Sequence, residues 1–469
     1  MTARHRVPCL GVLLLAVFGS MAAAQDEADS PGGGGSGPSQ APPDIALFYA
    51  AASVERRGDA LRQIGEGWRD GYAGMLWDIA KLQVRDVRRP LLAFLEDATG
   101  ERLGQDLQAW QQWIWAQPYD PHPDHAEFKG VLYGQIDPGF TAFFPPGAAS
   151  LIRLDEIDWG GVPVNGIPPL EYPAVLQASV ADYLDDDDIV FGIAMGGEAR
   201  AYPKRILAWH EMALDRVGGT ELTIVYCTLC GTVIPYESVI DERHIRFGTS
   251  GLLYRSNKLM FDHETRSLWS TFEGRPVVGA LVDSGLALRA RAVVTTTWEE
   301  WRALHPETTV LSLETGHDRD YAEGAAYRDY FSHDRLMFQV PDEDDRLSNK
   351  DEVLVMRLSD PATGASQSLA IAERFLRRNR VYHAEAAGHR LVVVTSREGA
   401  NRVFESRDVR FTQVGDPGGV VDAAGRAWRV TEEALVLADD PSVALSRVPA
   451  QRAFWFGWRA QFPDTLLIK

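Results

Sequence analysis

Two stretches far apart in this chain read alike. Trp298-x-x-Trp301-Arg302-Ala303-x-x-Pro306-x-Thr308 is matched by Trp455-x-x-Trp458-Arg459-Ala460-x-x-Pro463-x-Thr465. Further matches run in the same order before it. Glu221-Leu222-Thr223-Ile224-Val225-Tyr226 resembles Arg390-Leu391-Val392-Val393-Val394-Thr395, and Ala201, Arg205, Leu207 and Gly219 stand at one constant offset from Ala370, Arg374, Leu376 and Gly388. Tyr236-Glu237-Ser238 answers Phe404-Glu405-Ser406, and Asp262, Arg266 and Trp269 answer Asp422, Arg426 and Trp428. Self-similarity of this length marks duplicated structural units. The short β-branched runs between turn residues read as strands. The expected fold class is therefore α+β: two diverged β-rich repeat units with short helices, over 186–351 and 352–469, preceded by a small helical region.

The repeat separates scaffold from chemistry. Positions that both copies share build the unit; positions found in one copy are candidates for function. Cys227 faces Ser396, Cys230 faces Gly399, and His210 faces Asn379. The thiols belong to Cys227-Thr228-Leu229-Cys230-Gly231, set between the apolar runs Thr223–Tyr226 and Thr232–Tyr236. That pattern predicts strand, turn, strand, with Gly231 free to take a positive φ. Two thiols so close can grip a soft metal ion or form a redox pair. Zinc wants four ligands, and no second cysteine pair follows. Copper(I) is satisfied by two thiolates with a His or Met, so copper is the expected ion, with zinc or no metal as alternatives. His210 is the best third ligand and Met260 the best thioether. In the redox reading, His210 and Glu211 would act as base and orienting acid beside Cys227. Thioredoxin-like pairs open a helix, whereas the β-branched Thr232-Val233 here disfavour one. Haem attachment needs His where Gly231 stands.

The chain's beginning has the pattern of an export signal: Arg4 and Arg6, then the apolar core Cys9 to Phe18, then Ala22-Ala23-Ala24. We expect residues 1–24 to be cleaved, a periplasmic or secreted location, and no membrane insertion afterwards, since no later apolar run approaches the roughly 18 residues a span needs. A formal net charge of −19 argues against nucleic acid as a partner. Residues 25–43, rich in Gly, Ser and Pro, read as a flexible linker. Residues 44–117 read as two or three helical hairpins of the HEAT-like kind, from the spacing of Leu76, Ile79 and Leu82 and of Leu91, Leu92 and Leu95. Residues 118–185, dense in Pro and Gly, read as a connecting ordered loop region. The acidic run Asp185–Asp188 lacks the spaced ligand positions of a calcium loop and reads as a solvated turn.

Several stretches together carry a family likeness. Tyr202-Pro203, Trp209-His210-Glu211, Tyr226-Cys227-Thr228-Leu229-Cys230-Gly231, Ser256-Asn257-Lys258-Leu259-Met260-Phe261-Asp262, Thr315-Gly316-His317-Asp318-Arg319-Asp320-Tyr321 and Phe454-Trp455-Phe456-Gly457-Trp458 resemble the bacterial family known as domain of unknown function 3179. The resemblance covers most of residues 150–469. Thr228 stands where Pro is expected, and His317 where Tyr is expected. The family name implies no activity. Asp318 and Tyr321 join Glu211 as residues expected behind the metal ligands, or else they cap a turn. Besides metal binding and thiol–disulfide exchange, a non-catalytic interaction module with a periplasmic protein partner remains open.

Overall fold

A computed structural model describes residues 41–469 apart from 343 and 416–418. Residues 1–24, and most of the linker read at 25–43, lie outside the described residues. The described residues divide into two compact units, one ending at Leu132 and the other beginning at Tyr133.

The first unit is helical. Its helices include Ile45–Ala52, Arg57–Glu66, Ala73–Lys81, Arg85–Thr99 and Leu107–Ala116. Asp44 and Asp106 accept hydrogen bonds from first-turn N–H groups and so fix two of the starts. The apolar positions read from the sequence face inward: Leu76, Ile79, Leu91, Leu92, Leu95 and Trp110 share one core with Phe48 and Phe128. At its centre lies a buried charge. The Asp78 carboxylate takes Lys129 Nζ at 2.8 Å, Lys81 Nζ at 2.9 Å and His125 Nε2 at 3.1 Å. Burial alone would raise the Asp78 pKa; these neighbours outweigh it and hold the carboxyl well below the ordinary range.

Residues 118–185 hold more structure than Pro and Gly content suggested. Helix His125–Gly134 falls here, as do 3₁₀ turns at Pro138–Phe143 and Leu154–Glu156. Strand Ile157–Trp159 exists because it adds to an edge, pairing antiparallel with Phe247–Tyr254. In the acidic run, Asp185 to Asp187 are exposed, but Asp188 is buried against Arg205.

The second unit is built from sheets with short helices, so the chain is α+β. Four neighbouring strands of a five-stranded sheet are Val294–Thr297, Ile189–Met195, Glu198–Pro203 and Thr309–Leu311, with the first two pairings antiparallel and the third parallel; Val175–Gln177 adds antiparallel at the outer edge of Thr309–Leu311. Another orders Gln451–Phe454, Glu352–Ser359, Ser366–Ala372 and Leu466–Ile468 with the same senses. In each, a buried Trp on the last helix donates to a Thr ahead of the last strand: Trp301 Nε1 to Thr308 Oγ1 at 2.9 Å, and Trp458 Nε1 to Thr465 Oγ1 at 2.7 Å. Asp262 and Asp422 likewise each accept from a buried indole, Trp269 at 3.1 Å and Trp428 at 3.0 Å. An eight-stranded sheet runs from Val381–Ala386 round to Phe411–Gly415. Its first and last strands meet where the Phe411 N–H donates to His383 Nε2 at 3.0 Å, making a nearly closed barrel.

Candidate functional site

The thiol turn forms as its residues dictate. Strand Thr220–Cys227 pairs antiparallel with Thr232–Glu237, with Cys227 opposite Thr232. Gly231 closes the turn at φ +61°, and a Cβ there would press on the Phe454 ring. Two distant segments hold the turn. Tyr330 Oη donates to the Leu229 carbonyl at 2.9 Å, and the Phe454 N–H donates to the Cys230 carbonyl at 2.7 Å. Gly457 comes so close that a Cβ would lie 3.0 Å from Cys230 Sγ.

Both thiols are reduced and buried, at 2% and 0% exposure. The Cys230 thiol donates to the Ser256 carbonyl at 3.5 Å, and the two thiols are unequal. Burial raises Cys227, but the Cys230 thiol and the backbone N–H groups of Lys258 and Cys230 aim at its sulfur and bring it below the ordinary thiol value. Burial and the Cys227 sulfur push Cys230 well up. The Cys230 sulfur also accepts from Asn257 Nδ2 at 3.3 Å, and Asn257 is itself oriented by Thr271 Oγ1 on its Oδ1. Around the turn, the hydroxyls of Thr228, Thr232 and Ser256 are buried without a hydrogen-bond partner.

A charge pair flanks the thiols. Lys258 Nζ lies 3.2 Å from Glu211 Oε2 and donates to the Glu211 carbonyl at 3.1 Å. Glu211, Leu229, Lys258 and Tyr327 border a cavity of about 50 Å³. That is room for an ion or a water or two, not for an organic cofactor.

The sequence candidates fall into two groups. Cys227, Cys230 and Met260 share one buried core, and Glu211 acts electrostatically on both thiols. His210 is turned elsewhere. Its Nδ1 lies 2.9 Å from the Pro168 carbonyl and its Nε2 2.6 Å from Tyr321 Oη, which continues to Thr315 Oγ1 at 2.6 Å. With Nδ1–H donating to the carbonyl, Nε2 accepts the tyrosine proton. Burial and the neighbouring His317 and Arg319 push His210 down to about 4. To ligate a metal, its ring would have to leave both partners. Tyr321 thus positions His210 and not the thiols, and Asp318 lies exposed on its loop. Reading roles from the sequence missed Asn257, Lys258, Tyr330 and Gly457. The signal was present, since three of them sit in the family-like stretches 256–262 and 454–458.

With this geometry in hand, the family assignment is direct. Residues 164–465, most of the chain, match the model of the family described as "Protein of unknown function (DUF3179)", and the chain belongs to that family. No curated protein and no solved structure matches it.

Proposed function

We propose that Cys227 and Cys230 bind one soft cation, copper(I), and that the protein handles this metal or uses it in oxidoreduction. One observation carries the reading: two free, buried thiols share one tight turn with the buried hydroxyls of Thr228 and Thr232, and these and Ser256 have no hydrogen-bond partner among the described residues. Unsatisfied buried groups mark a place whose water or ion completes it. Sulfur ligands select soft ions, and Met260 adds a thioether in the same core. Zinc would ask for four ligands. Among the described residues no three His, Cys, Asp or Glu side chains gather as a metal cluster. Burial matters too: a bare ion reaches a fully buried pair more readily than a bulky disulfide does. The direct test is anaerobic competition for copper(I) against a chromophoric chelator, with zinc as a second arm. Copper(I) held one per chain and zinc held weakly is the expected result; tighter zinc would exclude the assignment.

The inequality of the thiols favours a second reading, thiol–disulfide exchange. The Cys227 thiolate would attack one sulfur of a substrate disulfide and release the other as a thiolate. Cys230 would then attack Cys227, closing a 227–230 disulfide and freeing the second substrate thiol. Two electrons pass to the substrate, which takes one proton from Cys230 and one from water. A metal-free protein that cycles with a small disulfide would select this reading.

The Asn257 amide bears on the copper reading by orienting the Cys230 sulfur. Asn257→Ala is expected to weaken copper(I) binding roughly 10–100-fold, the usual effect of residues behind a metal ligand, with the fold kept. The same competition assay measures it.

We also read the second unit as two diverged copies of one ancestral unit. The repeated strand order, the paired Trp–Thr bonds and the paired Asp–Trp bonds support this. Export rests on the signal pattern in residues 1–24. Among the described residues, no helix is long and apolar enough to cross a membrane.

A further inference from the structure

The turn that answers the thiol turn in the second copy, Thr395 to Ala400, has lost its cysteines, yet it is not idle. It borders a cavity of about 860 Å³ at the end of the eight-stranded sheet, beside helix Trp298–Leu304. Each turn is held by the other copy's helix at a matching place. Cys230 packs on Gly457, while Ser396 Oγ donates to Glu300 Oε2 at 2.8 Å. Gly457 and Glu300 both stand one residue before the second Trp of the repeated Trp-x-x-Trp motif.

The chemistry of this cavity differs from that of the thiols. At its base Arg402 is buried, with Nε donating to Glu432 Oε1 at 2.7 Å and Nη1 3.5 Å from Glu300 Oε1. Arg447 also reaches Glu432, at 3.5 Å, so the two carboxylates are already taken by the two buried guanidiniums. Three more arginines line the wall; Arg397 lies 3.9 Å from the neighbouring Glu398, and the other two are left over. Arg380 makes one side-chain hydrogen bond among the described residues, from Nε to the Thr395 carbonyl at 3.1 Å, and has no carboxylate partner there. Arg429 has neither among the described residues. Half-buried Arg380 and exposed Arg429 thus line one cavity with no carboxylate partner on either among the described residues, which leaves both guanidiniums open to a negative ligand. The planar guanidinium fork matches the oxygens of carboxylate and phosphate, and the cavity is of small-ligand size.

We propose that this cavity is a binding site for a small oxyanion, carboxylate or phosphate, with Arg380 and Arg429 as its anchors. It is independent of the thiol reading, because no thiol lines it.

The test is calorimetric titration of the full chain at constant ionic strength with citrate and, separately, inorganic phosphate; glycerol serves as the uncharged control. Arg380→Gln and Arg429→Gln are compared with the wild type after thermal melts confirm folding. Both side chains leave the Arg402–Glu432 network intact. We expect saturable binding of one anion per chain, with the stronger of the two probes naming the ligand chemistry. Each substitution should weaken binding roughly ten-fold or more, the worth of lost charge-assisted hydrogen bonds. No binding of either anion, or binding unchanged in both variants, would overturn the proposal. Unchanged copper(I) uptake in both arginine variants is expected whatever the anion result.

Discussion

Cys227→Ser and Cys230→Ser should each reduce copper(I) affinity by more than the roughly 10–100-fold that changes behind a ligand produce, because each removes one of two sulfurs. The fold should survive. Ser396 and Gly399 stand at the positions that our reading of two copies pairs with Cys227 and Cys230, and the turn there closes without sulfur, the Ser396 N–H donating to the Ala400 carbonyl at 2.8 Å. Serine can still accept from Asn257 and from the Lys258 N–H. We therefore expect Tm to move by no more than roughly 2–4 °C, the shift that about 1 kcal/mol produces in domains of about 150–250 residues, smaller than this unit. Ser396→Ala should leave copper uptake unchanged. The paired readout is copper competition beside thermal melting. Failure of both cysteine variants to fold would mean that the thiols are structural.

The second large effect concerns the helical unit. Asp78→Ala should destabilise it by about 3–5 kcal/mol, since Lys129, with a fully buried side chain, would lose the carboxylate it pairs with at 2.8 Å. The acid dependence has a definite sign. The folded carboxyl lies below its unfolded value, so the stability it supplies is fully present above about pH 4 and is lost as pH falls toward the folded value. Thermal melts from neutral to acid pH should show this loss in the wild type. Asp78→Asn should start lower and lack that part of the slope. Equal acid sensitivity in both proteins would remove Asp78 as its cause.

How much was legible in the sequence depended on how local the cause was. The thiol turn was legible because what sets its backbone course is adjacent, β-branched runs on both sides and Gly231, which takes the positive φ the turn needs, although Tyr330 and Phe454 hold it from afar. The helices of the first unit were legible from apolar spacing. Helix His125–Gly134 and strand Ile157–Trp159 were not. The strand is short and exists by pairing with Phe247–Tyr254, a partner far along the chain. The site's surroundings failed for the same reason. Asn257 and Lys258 come from a neighbouring hairpin and Gly457 from near the end of the chain, and no local period links them to Cys227.

His210 shows the opposite case. Proximity in sequence to Glu211 suggested a shared site. But the helix ends there, with Glu211 at φ +55°, and the two side chains find different partners. Glu211 goes to Lys258, while His210 goes to Pro168 and Tyr321. A residue type that suits a metal is not enough when both of its nitrogens are already used.

The central claim is that the thiol pair is a soft-metal site, and one titration tests it most directly. Reduced full-length protein is titrated anaerobically with copper(I), and free thiols are counted with a chromogenic reagent at each step. The account predicts one tightly held copper per chain, with Cys227 and Cys230 both becoming unreactive together as that single equivalent is added. Thiols that stay fully reactive while copper remains in solution, or that close to a metal-free Cys227–Cys230 disulfide which small thiols reopen, would contradict it.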